Sequence, residues 1–187
     1  MTNTTQITLN AAAVPVFKQM LGVLSSLLDK ADEYIEQTGI EPDALLKSRL
    51  YPDMFPFISQ VQFSCDFAKG AMARIAGIDV PGYADDEKTI AELRTRINKT
   101  LALINTFKAE DIDGQETCEV NMGFGNLQLS ANAQDYLVGF VIPSLVFHVS
   151  TAYGILRHNG VDIGKLDFLG NVNGMSGLDG DLESSVA

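Results

Sequence analysis

The chain reads as an all-α protein: a four-helix bundle with long crossover connections and a small β-hairpin between the third and fourth helices. Three observations carry that reading. Apolar residues recur at alternating three- and four-residue steps in four stretches of about twenty residues, which draws one stripe along one face of each helix. Helix-starting and helix-stopping residues bracket those stretches. Two connections are too long for tight turns, so a topology other than up-down-up-down is open to the chain.

The first stripe runs Val14, Phe17, Leu21, Leu24, Leu28, Ala31 and Ile35. Residues 36 to 53 follow, and Glu41-Pro42-Asp43 predicts a short linking helix through Leu45 and Leu46, since proline suits a first helical turn. The second stripe is Ile58, Val61, Cys65, Ala68, Met72 and Ile75. Pro56 fits that helix's first turn and Gly77 its C-terminal stop. Asp53, in the turn Asp53-Met54-Phe55-Pro56, reads as its N-cap, or as a carboxylate at a pocket mouth.

The third stripe is Ile90, Leu93, Ile97, Thr100, Ile104 and Phe107, opened by the capping-box pattern Thr89-x-x-Glu92. Between residues 110 and 131, Asp113-Gly114, Gly123 and Gly125 punctuate alternating runs at Val120, Leu127 and Leu129, the pattern of a β-hairpin. The fourth stripe is Val138, Val141, Leu145, His148, Ala152 and Ile155, and Asn159-Gly160 supplies a left-handed C-cap. Pro143 removes one backbone hydrogen bond and predicts a kink about one turn before His148. Residues 1–170 are expected to form one helical-bundle domain. Residues 171–187, rich in Gly, Ser and Asp, are expected to form a flexible tail.

The composition bounds the function. With 187 residues, 46% hydrophobic and 20% charged, the chain can bury a continuous core without metal or disulfide support. A net charge of −11 argues against binding nucleic acid or an anionic membrane, where basic patches supply the affinity. No uninterrupted apolar run approaches the ~20 residues of a membrane span. The start, Met1-Thr2-Asn3-Thr4-Thr5-Gln6, lacks the basic and apolar regions of a signal peptide. Cys65 and Cys118 form no C-x-x-C and no Cys/His ligand spacing, and Cys65 lies on an apolar face. The expected location is the cytoplasm. A homodimer is expected because two-fold dimers are the commonest soluble oligomer.

His148 and His158 are the chain's two histidines, which confines imidazole chemistry to one segment. His148 sits at a seam position and needs a partner. It is either a structural histidine bonded to a carboxylate, hydroxyl or carbonyl, or a ligand-binding or acid/base group in a central pocket. Gln62, Asp66 and Lys69 form a polar stripe beside the second helix's seam. Asp66 is the expected neighbour of His148, and Lys69 is expected to face solvent. Ten positions apart on a helix, the two histidines are separated by about 15 Å of rise and cannot share a metal. H-x-x-x-H and E-x-x-H arrangements are absent.

His158 suits the last helical turn, where a cation favours the negative end of the helix dipole. Tyr153 and Arg157 are an i,i+4 pair in which the guanidinium packs on the ring edge or clamps a carboxylate or phosphate. Neither a phosphate loop nor a nucleophilic serine elbow is present.

Arg49-Leu50-Tyr51-Pro52-Asp53-Met54-Phe55-Pro56, followed by Gln60-Val61-Gln62 and Asp66, resembles one signature of a bacterial family catalogued as a domain of unknown function. Phe147-His148, Thr151-Ala152-Tyr153, Leu156-Arg157-His158-Asn159-Gly160, Gly164-Lys165 and Asp167-Phe168-Leu169-Gly170 resemble its second. The resemblance covers roughly residues 10 to 170 and implies membership of the DinB-like four-helix superfamily. Better-known DinB-like relatives hold a divalent metal through three histidines and include thiol-dependent transferases and isomerases, so the resemblance points toward an enzyme. This chain departs from them: its second helix has no histidine, and its fourth has one where those relatives carry a spaced pair. The resemblance therefore makes His148 a candidate survivor of the triad and carries over neither metal nor thiol cofactor.

The expected function is small-molecule binding, without a bound metal, in an axial polar pocket around His148. Asp53, Gln62, Asp66 and Tyr153 are the candidate lining, with Arg157 and His158 as further ligand-binding candidates. One alternative is a transferase or hydrolase using His148 as acid/base or sole histidine metal ligand. Another is a non-catalytic bundle that works by self-association.

Overall fold

In the computed structural model, residues 7–172 are described. Helix α1 (Leu9–Thr38) starts at Thr8, whose hydroxyl accepts from the Ala11 N–H, and stops at Gly39, whose φ of 69° is the left-handed conformation glycine adopts freely. It buries Phe17, Leu21, Leu24, Leu28 and Ala31 as the stripe predicts, and Met20, Val23 and Leu27 beside them. The buried face is broader than one seam.

Helix α2 (Pro42–Leu46) is the short linker, with Leu45 and Leu46 buried. Helix α3 (Phe57–Ile75) follows. Asp53 does not cap it: Pro56 holds the N-cap position without a side-chain bond, and Asp53 is exposed in the preceding turn. Helix α4 (Ile90–Ile104) opens with the reciprocal capping box, Thr89 to the Glu92 N–H and Glu92 back to the Thr89 N–H. A short helix α5 (Ala109–Ile112) leads to strands β1 (Glu119–Phe124) and β2 (Leu127–Asn132). They pair antiparallel, Val120 opposite Ala131, around the turn at Gly125 (φ 57°).

The last long helix differs from its expected form. After α6 (Ala133–Asp135) the chain winds as a π-helix over Tyr136–Val141 and continues as α7 (Ile142–His158). Pro143 sits in the first turn of α7, where a missing N–H costs little. The change of helix type falls directly before this proline. The wider π turn also shifts the phase of the face, so Tyr136 and Leu137 are buried while Val138 is 55% exposed. The seam therefore begins at Val141, not Val138. Helix α8 (Lys165–Leu169) docks on α1, where the Gln19 amide donates to the Leu169 carbonyl at 2.8 Å. The expected flexible tail lies, beyond Asn171 and Val172, outside the described residues.

Around the bundle the long helices pack in the order α1–α4–α3–α7. Consecutive long helices α1 and α3 are diagonal, as are α4 and α7, which is why those connections are long. By length and composition, α1 and the helix Ala133–His158 could each cross a membrane, with a mean hydropathy of 1.5. Neither is an uninterrupted apolar run: Asn10, Lys18 and Gln19 break the first, and Gln134, Asp135, Ser144 and His148 the second. Both are bundle members, and their apolar faces pack on neighbouring helices.

Candidate functional site

An open cavity of about 430 Å³ lies between α3, α7 and the hairpin. Phe55, Phe63 and Phe67 provide aromatic wall, and Met122 and Gly125 bring the hairpin over it. His148, Asp66 and Arg74 contribute its titratable groups.

His148 reaches the cavity from the flank of α7. The core line of that helix runs through Leu145, Val149 and Ala152, so His148 is half-buried at the α3–α7 boundary and not on the bundle axis. Its Nδ1 lies 2.7 Å from Gln60 Oε1, and the Gln60 amide nitrogen donates to the Phe55 carbonyl at 2.8 Å. That second bond sets the orientation. With its NH₂ committed to a carbonyl, Gln60 turns its oxygen to the ring, the imidazole must donate through Nδ1–H, and Nε2 keeps its lone pair. The ring stacks on Phe67 (5.5 Å, 23°) and leans on Phe63 (5.1 Å). Burial pushes the His148 pKa down to about 4. At neutral pH it is an uncharged hydrogen-bond acceptor.

Asp66 lines the same cavity but is not the partner of His148. Its Oδ1 accepts from Arg96 Nη2 and from Lys69 Nζ, each at 2.9 Å. Lys69, expected in solvent, is 4% exposed, and its ammonium sits 3.9 Å from the centre of the Tyr83 ring. Arg96 is the reason. Buried on α4, it donates to the Ala84 carbonyl at 2.8 Å and pairs with Glu87 at 3.0 Å and Asp85 at 2.9 Å. The Asp66–Lys69 face of α3 turns toward α4 to meet it. Gln62 faces the same way, donating to Glu87 Oε2 at 2.8 Å, and does not line the cavity. Burial acts to raise the Glu87 pKa, but hydrogen bonds from Gln62 and Arg96 outweigh it and hold the carboxyl below its usual range. Burial pushes the core thiol of Cys65 up to about 12, which leaves it unreactive.

The remaining candidates stand apart from the cavity. Tyr153 packs edge-on against Phe168 at 5.9 Å, its hydroxyl 3.5 Å from the Ile163 carbonyl. Arg157 turns to Asp162 at 3.7 Å, both exposed, in place of Tyr153. His158 is exposed in the last turn of α7, and Asp53 is exposed in its turn. The structure thus gathers His148 and Asp66 and leaves Asp53, Gln62, Tyr153, Arg157 and His158 elsewhere.

Sequence reasoning missed Gln60, Phe63, Phe67 and Arg74. A signal was present: residues 60, 63, 67, 70 and 74 make a second three-four stripe on α3, beside the core stripe. Missing, too, was Arg96, a charge hidden among the apolar positions of the third stripe.

Among the described residues, no three His, Cys, Asp or Glu side chains come together as metal ligands. The neighbours of His148 are rings and an amide, and Asp66 is already bound to two cations. This donor set does not fit the three-histidine metal of DinB-like relatives.

The family model described as "Domain of unknown function (DUF1993)" matches residues 9–169. The crystal structure of a DinB family member protein from Shewanella denitrificans is 37% identical, spans 90% of this chain and 96% of its own, and superposes with a TM-score of 0.80. Among curated proteins none matches this chain.

Proposed function

The chain belongs to the DUF1993 family of domains of unknown function, built on a DinB-like bundle, and we propose that it binds a small aromatic molecule beside His148 without a bound metal. One observation carries this reading: the Phe55–Gln60–His148 relay holds a neutral imidazole, with Nε2 free to accept, in the wall of an aromatic cavity. Phenylalanine walls reward burial of an apolar ring, and one fixed acceptor orients it. A ligand hydroxyl or N–H donating to Nε2 adds about 0.5–1.5 kcal/mol.

The same lone pair is what a general base requires. A pKa of about 4, however, makes His148 a weak base at neutral pH, which favours binding over a transferase or hydrolase role.

Titration with 4-methylphenol and its methyl ether, followed by NMR on the wild type and His148→Phe, tests the proposal. The wild type should prefer the phenol by roughly two- to tenfold, and the variant should show no preference. A preference that survives in the variant, or a wild type that binds neither compound, counts against it.

Self-association is a separate proposal, supported by Val138 and Phe147, 55% and 56% exposed on one helical run. Light scattering across a concentration series checks it, and a strict monomer removes it.

A further inference from the structure

We infer that the molecule taken by this cavity carries a carboxylate bound by Arg74, making an aromatic hydroxy-acid the ligand class; the inference rests on the small-molecule reading of the cavity.

Arg74 lines the cavity from the C-terminal half of α3. Its Nη1 lies 3.1 Å from the Tyr136 hydroxyl. Among the described residues no carboxylate comes within ion-pair distance of it, although the chain has 24 acidic residues against 13 basic ones. Arg94 and Arg96, by contrast, each hold two or more carboxylates. In so acidic a protein, a guanidinium left with only a neutral partner beside an aromatic cavity retains donors for an anion. Its planar fork matches a carboxylate.

Gly70 explains how the group gets there. Glycine weakens a helix interior, yet Gly70 lies buried in the middle of α3. A Cβ at that position would overlap Arg74 Nη1. The missing side chain lets the guanidinium fold back along the helix to the level of Gly70, roughly 4.5 Å of rise from Phe67. Gln60, Phe63, Phe67, Gly70 and Arg74 then follow one line of α3, from which Phe63, Phe67 and Arg74 line the cavity. A hydroxyl on His148 Nε2, a ring over Phe63 and Phe67 and a carboxylate on Arg74 follow that line in order.

Asp66 does not cancel the attraction. Arg96 and Lys69 both pair with it at 2.9 Å, and four residues along the helix set it about 6 Å in rise from the level of Gly70, where the guanidinium lies.

The test uses the full chain near pH 7 at fixed ionic strength, with 4-hydroxyphenylacetate and 4-methylphenol as probes measured by calorimetry. The acid should bind the wild type about tenfold more tightly than the phenol. Arg74→Met should erase that preference. Gly70→Ala, which keeps every charge but displaces the guanidinium, should erase most of it, and Arg74→Lys should restore only part. Thermal denaturation confirms that the variants fold. If 4-methylphenol binds and the acid binds no more tightly, or the preference persists in Arg74→Met, the carboxylate inference is overturned while the cavity reading stands. If neither probe binds the wild type, both are overturned.

Discussion

His148 Nδ1 and Gln60 Oε1 meet at 2.7 Å across the α3–α7 boundary, 88 positions apart in the chain. The bond fixes three properties together: which tautomer the imidazole adopts, which nitrogen keeps a lone pair, and how the ring faces Phe63 and Phe67.

Gln60→Leu removes the acceptor and leaves the imidazole N–H without its partner. Burying an unpaired donor costs about 1–3 kcal/mol. Urea denaturation should show a loss of that size. Nitrogen chemical shifts should show the Nδ1–H tautomer in the wild type and a mixture in the variant.

The lowered pKa of His148 makes stability depend on pH. The unfolded histidine takes up a proton below 6.5, whereas the folded one resists until about 4. The unfolded state binds more protons in that window, so stability falls as pH drops from 6.5 toward 4, by at most about 1.4 kcal/mol per unit. The wild type should lose more stability than His148→Gln between pH 7 and 5. Parallel curves would remove the desolvated histidine from the account.

Arg96 is a buried cation holding Asp66, Glu87 and Asp85. Arg96→Met strands those carboxylates, and breaking a buried pair from one side costs about 3–5 kcal/mol; exposure of Asp66 and Asp85 places this one at the lower end. Chemical denaturation checks it. Asp66→Asn loosens the same network, but the titration of His148 should be little changed, because the two side chains have separate partners.

Gly70→Ala separates folding from binding. Alanine gains about 0.5–1 kcal/mol of helix propensity, while loss of the Arg74–Tyr136 bond costs about 0.5–1.5 kcal/mol. The melting temperature should hardly move, and any large change should be confined to ligand preference.

Much of the architecture was legible because it rests on local patterns. The Thr89–Glu92 box, the Gly39 and Gly160 stops and the hairpin turn at Gly125 follow from backbone chemistry within a few residues, and three of those four features, the box, the hairpin and the Gly160 stop, are expected from the sequence. The π turn before Pro143 was not legible, since one extra residue per turn leaves an apolar run looking like an ordinary helix. The site was read in half. Scarcity singled out His148, and the second helix was the right place to look for its partner. The expected neighbour, Asp66, does not pair with His148, because a buried arginine on α4 holds its carboxylate and Gln60, outside the Gln62–Asp66–Lys69 stripe, meets the imidazole instead. Which cation reaches which anion across a bundle is a tertiary fact.

The most direct measurement is a nitrogen-detected NMR titration of the His148 ring with 4-methylphenol near pH 7, assigned with His148→Gln. The account predicts a saturable shift of Nε2 as its lone pair accepts the phenol hydroxyl, with Nδ1 still protonated and bonded to Gln60. An Nε2 signal that stays fixed as 4-methylphenol is added would contradict it.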